Sequence, residues 1–540
     1  MEKKKKYLIL GIIILLALGG VTVAYLTWSS DKINIGLNSD CFTIDYTKGG
    51  DINNASVKLM NESDLIDSNN KFTIKEGIAL TYANIGIKST CGIEGYGSLY
   101  LNITSLSDAF TTGGSVGSLK YAILKNTSTS TVSVTNLLNQ SFNIEKKGSI
   151  TSTGTKKILT KQLSNTEVNK YIIVIYIDKS LSGNDVIGAS FSGKISADAN
   201  QGIATLGVAT EYITNLYAEA SKEEVTNNSI TYNKAPSVNL MNDRLGGTTT
   251  SLDGGNIRYY GASPNNYIYF NCSDYNSQTS STCEVWRIIG VFDGKVKLIR
   301  NTLIGNYSWD NKDTTTGAEN NYGKNDWSTA RLMKLLNPSD YYTVDTNDQG
   351  LGQSLYYNSG SGKCYSGQNN ATVDCDFTST GIKNDTTRNL IAETTWNLGG
   401  WGSSSVYSNQ IYEYERGTTV YQGRPTTPWK GKIALAYLSD YGYAAEFGTN
   451  YCNKQLYSYD DTTCKSNNWM KAILGTSSTG WSLNPNSSLS KYAWQIYSSG
   501  GVYNNYAYKA CGVSPVLYLN SGAKFKDGDG SSAKPYQLSA

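Results

Sequence analysis

The spacing of the cysteines constrains this chain more than any other feature. Cys272/Cys283, Cys364/Cys375 and Cys452/Cys464 form three close-set pairs, each bracketing a short polar, turn-forming stretch. None has the tight spacing of a zinc knuckle, and the chain has no histidine to complete a site, so disulfides are expected rather than metal. Bridges across loops this short stabilise a fold by roughly 2–3 kcal/mol each, through restriction of the unfolded chain, and they belong to an oxidising compartment. Cys41 and Cys91 complete the expected disulfide set. Cys511 is left over just before an apolar strand and is expected as a buried free thiol, since no activating neighbour is evident.

The N-terminus points to the same compartment. Lys3 to Lys6 form a basic cytoplasmic segment, residues 1–6, and residues 7–28 follow without a charge, dominated by Leu, Ile, Val, Ala and Gly. A run of that length spans a hydrocarbon core, with the basic side held inside. Thr22-Val23-Ala24 and Ala17-Leu18-Gly19 also offer the small residues a signal peptidase reads. The expectation is a single-pass anchor, N-terminus inside and C-terminus outside, or a secreted protein if the leader is cut. The missing histidine further removes Ser-His-Asp and Cys-His chemistry. A net charge of +3 spread over 540 residues gives no basic stripe for nucleic acid.

Residues 31–201 read as short strands between turn residues: Ile33–Ile35, Cys41–Ile44, Lys71–Ile74, Ala79–Tyr82, Leu99–Leu101, Tyr121–Leu124, the β-branched and aromatic run Tyr171–Asp178, and Phe191–Ala197. That pattern predicts an all-β sandwich. The leader ending Gly19-Gly20-Val21-Thr22-Val23-Ala24-Tyr25, with the closing strands Tyr171–Asp178 and Ser190–Ile195, resembles the exported jelly-roll proteins of the TasA and camelysin type. The resemblance implies a jelly-roll-like sandwich, Gram-positive surface or matrix association, and self-association through this domain. It implies no catalytic residue.

Tyr212, Ile213, Leu216, Tyr217 and Ala220 fall on one stripe and predict an amphipathic linker helix over 204–228; the polar stretch 242–256 reads as a boundary. Residues 235–540 read as an α+β, loop-rich domain. Asp293-Gly294 signals a hairpin between Glu284–Phe292 and Lys295–Ile299. Asp326 is the expected N-cap of a helix Trp327–Leu336, and most tryptophans are expected in the core. Trp286–Val291, Asp326–Asn337, Trp481–Asn484 and Gly512–Leu519 resemble an uncharacterised surface module of Gram-positive gut bacteria, of the DUF6273 kind, in which an arginine usually stands where this chain has Ser514. By analogy this implies a fold like that of the C-type lectins.

Several motifs bear on chemistry. Ser488/Lys491, Ser521/Lys524 and Ser531/Lys534 match the S-x-x-K pattern, but no Lys-Thr-Gly follows them. Glu413 and Glu415, read as two apart on one strand face, are the candidate carboxylates of a glycoside hydrolase. Calcium is the one ion the oxygen-rich inventory suits, with Asp527 and Asp529 as candidate ligands and further oxygens at Asp310, Asn311, Asp313, Glu319, Asn325 and Asp326; no other cofactor is implied. Tyr503, Asn504, Asn505, Tyr506, Tyr508, Tyr412 and Tyr414 are the candidate ligand-binding residues, from the Tyr/Asn/Ser alphabet of adaptable recognition surfaces. The expected function is adhesion to a cell-surface glycan or protein from a β-sandwich stalk. A matrix or fibre subunit and a carboxylate-dependent hydrolase are the alternatives.

Overall fold

The structure, a computed structural model, describes residues 27–30, 38–39, 42–53, 57–89, 95–163, 167–201, 206–244, 255–311, 322–344, 351–367, 371–417, 428–476 and 479–539. The chain divides into two compact units, Met1–Ala204 and Thr205–Ala540.

Strands dominate the first unit, arranged as two sheets. One sheet runs Thr27–Ser30, Phe191–Gln201, Gly95–Leu106, Gly154–Leu163, with Ile52–Asn53 also on Phe191–Gln201. The other runs Asn38–Ser39, Phe42–Lys48, Ala79–Ser89, Val168–Asp178, Leu119–Lys125, Ser141–Ser149, Lys71–Thr73, with Leu59–Met60 parallel to Val168–Asp178. Val168–Asp178 is the pivot. Its Tyr171, Ile173 and Ile175 pack with Leu101 and Ile195 of the first sheet, while Ile172, Val174 and Tyr176 pack with Phe72, Leu137 and Phe142 on the opposite face. A strand covered on both faces has no polar side, which is why its sequence is a continuous apolar run. At its end Asp178 accepts from Lys120 Nζ at 2.7 Å.

Two residues assigned to the expected membrane span lie in a strand. Thr27 and Trp28 open a strand, Thr27–Ser30, antiparallel to Phe191–Gln201, instead of closing an apolar helix. Residues 7–26, the expected strand Ile33–Ile35, and Cys41 and Cys91 lie outside the described residues. Among the described residues no helix is long and apolar enough to cross a membrane.

The second unit is also strand-rich, with short helices. Its main sheet runs Glu223–Asn227, Ile230–Ala235, Leu240–Asn242, Ile257–Tyr259, Glu284–Phe292, Lys295–Arg300, Val516–Tyr518, Ile433–Ala434. A second sheet runs Asn306–Ser308, Ala510–Gly512, Thr479–Pro485, Tyr492–Tyr497, Val502–Tyr506. The predicted hairpin forms, with Asp293 at φ 46° and Gly294 at φ 71°, the left-handed pair such a tight turn requires. Gly290 sits where a Cβ would lie 2.1 Å from the Ile257 carbonyl oxygen, so only glycine lets these strands approach. Tryptophans 286, 309, 327, 396, 469 and 481 are buried.

The structure shifts several sequence boundaries. The helix expected over 204–228 is Ala209–Glu219, and Glu223–Asn227 turns into a hairpin with Ile230–Ala235 through Asn228 and Ser229, both at positive φ. Ile213 and Tyr217 belong to the core of the second unit, so this helix is part of the domain and not a linker. Stretch 242–256 is no boundary either, because Leu240–Asn242 pairs directly with Ile257–Tyr259 on its far side. Asp326 caps a turn through Ser328, and the helix itself is Arg331–Leu336.

The three disulfides form as the spacing predicts: Cys272–Cys283, Cys364–Cys375 and Cys452–Cys464. The second ties the hairpin Ser361–Tyr365/Thr372–Asp376 across its strands. Such bonds fit an oxidising, extracellular setting.

At the centre of the unit lies a buried charge network. Arg258 donates to Asp243 from Nε at 2.5 Å and to Asp440 Oδ1 from Nη1 at 3.1 Å, and Lys297 Nζ lies 2.5 Å from Asp440 Oδ2. Each of the four side chains is at most 1% exposed. Asp243 also accepts from Asn256, through its backbone N–H and its Nδ2. Asp440 accepts from the backbone N–H of Tyr437 at the start of the helix Leu438–Tyr443.

Removing one member leaves an uncompensated buried charge, which costs about 3–5 kcal/mol. Asp243→Ala is expected to lower the unfolding free energy of the second unit by that amount in urea. Tryptophan fluorescence reports on it, since every tryptophan but Trp28 lies there. A loss of a few tenths of a kcal/mol would show that Arg258 does not depend on Asp243.

A second expectation concerns alkaline pH. Tyr232 donates or accepts a 3.1 Å hydrogen bond with the Tyr443 hydroxyl, and burial pushes its phenol up to about 12. An unfolded tyrosine ionises near pH ~10. This group's contribution is therefore whole below that pH and is lost as pH rises from ~10 through about 12. Tyr232→Phe should flatten the fall of the urea midpoint across that window; an unchanged slope would refute the assignment.

Candidate ligand-binding surface

Antiparallel pairing builds an aromatic stack at one end of the second unit. Tyr492 and Tyr506 are directly opposed on the strands Tyr492–Tyr497 and Val502–Tyr506, and their rings stack with centroids 4.6 Å apart. Tyr322 stacks on Tyr506 at 4.6 Å, and Tyr508 lies parallel to both, at 5.7 Å from Tyr506 and 5.8 Å from Tyr322. Backbone hydrogen bonds fix the arrangement: Tyr508 N donates to Tyr322 O, Ala507 N to Lys491 O, and Lys509 N to Tyr506 O. Lys491 Nζ sits over this group, 5.1 Å from the Tyr322 centroid and 5.9 Å and 6.0 Å from Tyr492 and Tyr506. Lys509 Nζ lies 5.0 Å from Tyr508. Tyr322, Tyr492 and Tyr506 are half-buried.

Tyr506 and Tyr508 of the expected recognition set thus lie in one stack. Tyr503 does not join it. It is an odd number of positions from Tyr506 on the same strand, so it faces the other side of the sheet, where its ring meets Tyr497 at 5.0 Å and Tyr457 at 5.4 Å. Asn504 is exposed and Asn505 half-buried. Tyr414 stacks on Trp401 with centroids 4.0 Å apart and planes at 6°, a separate aromatic platform. Tyr412 is only 5% exposed, and its hydroxyl accepts from Asn256 Nδ2 at 3.1 Å; it is a core residue, contrary to its sequence assignment. Tyr322, Tyr492 and Lys491 were not identified from sequence. Tyr492 has a weak signal in strand alternation, whereas Tyr322 comes from a distant segment and has none.

The carboxylate pair is also corrected. Glu413 and Glu415 lie on a helix, Ser408–Arg416, with Glu413 exposed and Glu415 fully buried, so they do not face one cleft. Glu415 accepts from Ser439 N at 2.9 Å and Asn484 Nδ2 at 3.0 Å, and burial raises its carboxyl above the usual range despite Arg416.

Among the oxygen ligands considered for calcium, Asp527 accepts from Lys534 Nζ at 2.9 Å and Asp529 from Ser531 N at 2.9 Å. Asp310 accepts from the backbone N–H groups of Lys324 and Arg331, and burial pushes its carboxyl up to about 7. Asn325 Nδ2 donates to the carbonyls of Asn486, Leu489 and Tyr492. Asp313 and Glu319 lie outside the described residues. Among the described residues no group of three or more Asp, Glu or Cys is placed to hold a metal ion. In the S-x-x-K matches Lys491 is committed to the tyrosine stack and Lys534 to Asp527.

Cys511 is buried and unpaired, within 3.0 Å of Gln495 Oε1, and burial pushes its thiol up to about 11. A thiol in that state presents almost no thiolate at neutral pH. Native protein is expected to leave Cys511 unmodified by an alkylating reagent, with full labelling in denaturant, read by peptide mass. Rapid native labelling at this position would contradict the burial argument.

Comparison with protein-family models and with curated proteins finds no match to this chain.

Proposed function

We propose that this is an exported Gram-positive surface protein whose second unit binds a saccharide at the stack of Tyr322, Tyr492, Tyr506 and Tyr508. The observation that carries the reading is the stack itself: four near-parallel rings with Lys491 set over them. Aromatic faces offer rigid contact area for the apolar C–H face of a sugar ring, and the phenol hydroxyls and lysine offer hydrogen bonds at its rim. In this reading the first unit is a jelly-roll-like stalk, the second a head of C-type-lectin type, and the segment before Thr27 carries export.

A matrix or fibre subunit is the second reading, favoured by one observation. Among the described residues the strand Gly154–Leu163 pairs on one side only, with Gly95–Leu106, leaving its other edge open. Lys156, Lys157 and Lys161 lie on that edge strand, and lysines there discourage edge-to-edge pairing, so the stalk is preferred.

The test is a glycan array with the exported chain, followed by titration of the best ligand. Tyr506→Ala removes the central ring, and a lost stacking partner of ~1 kcal/mol or more should weaken binding about five- to tenfold, with the unfolding midpoint followed in parallel. Glu413→Gln, on the exposed helix face, should bind as the parent does. Absence of binding to neutral and acidic glycans alike would sink the proposal, and filaments from concentrated protein would favour the second reading.

A further inference from the structure

The charge network in the second unit contains a pair placed for covalent chemistry. We propose that Lys297 and Asp440 join through an intramolecular isopeptide bond, tying the strand Lys295–Arg300 to the helix Leu438–Tyr443.

Three observations carry this. First, Lys297 Nζ is 2.5 Å from Asp440 Oδ2. Nζ is thus in direct contact with the carboxylate whose Cγ it would attack. Second, the pair is sealed: both side chains are 1% exposed, and Nζ is surrounded by the rings of Tyr437 at 4.4 Å, Phe292 at 5.2 Å, Tyr518 at 5.4 Å and Trp396 at 5.6 Å. A dry aromatic box favours condensation, because the released water is not there to reverse it. It also disfavours the ion pair, since each buried charge carries a desolvation cost of several kcal/mol. Third, the remaining charges still balance: Arg258 and Asp243 are left as a matched pair.

The geometry also assigns the oxygens. Arg258 Nη1 donates to Oδ1 at 3.1 Å, where it stabilises the negative charge that develops as Cγ is attacked. Oδ1 remains as the amide carbonyl and Oδ2 leaves. One proton passes from the Lys297 ammonium to Oδ2, and the neutral amine then forms the Nζ–Cγ bond. A second proton from the nitrogen follows as the Cγ–Oδ2 bond breaks, releasing Oδ2 as water. An ammonium and a carboxylate become one amide and one water, with no oxidant or co-reactant. Burial pulls the Lys297 ammonium down to about 8, the direction that eases loss of its proton. Arg258 and Lys297 hold Asp440 below the usual carboxylate range against burial, so the proton transfer within the pair is the demanding step.

Mass spectrometry of the unmodified full chain, reduced and denatured, decides the matter without any variant. A tryptic digest is expected to yield one branched peptide joining Lys297 to Asp440, with no cleavage after Lys297, and the intact mass to fall by one water. Linear peptides that contain unmodified Lys297 and Asp440 at full yield would overturn the proposal. Lys297→Arg should give the uncondensed mass. Asp440→Ala, which lacks the carboxyl carbon, should do the same, and a mass still lower by one water in either variant would overturn the proposal.

Discussion

Asp243, Arg258, Asp440 and Lys297 meet where solvent does not reach, and the second unit is arranged around their mutual satisfaction. A buried ion group gives little net stability compared with apolar packing, but it is intolerant of misplacement, because a single displaced member leaves a charge without compensation. The strand Ile257–Tyr259 contributes Arg258, and Lys295–Arg300, separated from it by Glu284–Phe292, contributes Lys297. The helix Leu438–Tyr443 brings Asp440 across both. The register of the sheet and the docking of that helix are thereby specified together. The aromatic rings around the cations, Phe292, Tyr412, Tyr443, Tyr437 and Tyr518, are the low-dielectric wall that makes the specification strict.

Much of the fold was legible because local chemistry fixed it. Asp293-Gly294 demanded left-handed backbone and produced a hairpin. The short cysteine spacings produced three loop-closing bonds. The run Tyr171–Asp178 announced a strand by its β-branched composition. Where tertiary pairing overrode local periodicity, the reading was less accurate. The helical stripe ending in Ala220 is genuine, but Asn228-Ser229 turned the following residues into a hairpin, and the two residues at positive φ were the overlooked signal.

The candidate site was less legible, for a physical reason. A recognition surface is defined by what the fold leaves uncovered, and residue type alone does not report that. Tyr412 and Tyr414 are two apart on one helix; the first reaches into the core and the second stacks on Trp401. Glu413 and Glu415 divide the same way, because a helix turns residues two apart to different sides where a strand would align them. Tyr503 and Tyr506 separate by the pleat of the strand. Tyr322 comes from a distant segment, brought beside the stack by a hydrogen bond between its carbonyl and the Tyr508 amide.

The central strand of the first unit, Val168–Asp178, has a consequence for how that sandwich finds its alignment. In an amphipathic strand a one-residue slip exposes apolar groups and buries polar ones, so the slip is rejected at once. Here both faces are apolar, and slipping exchanges one buried hydrocarbon for another. Solvent therefore does not proofread this strand. Its alignment rests on shape complementarity of the two cores and on the charged latch at its end, where Lys120 meets Asp178 and Glu62.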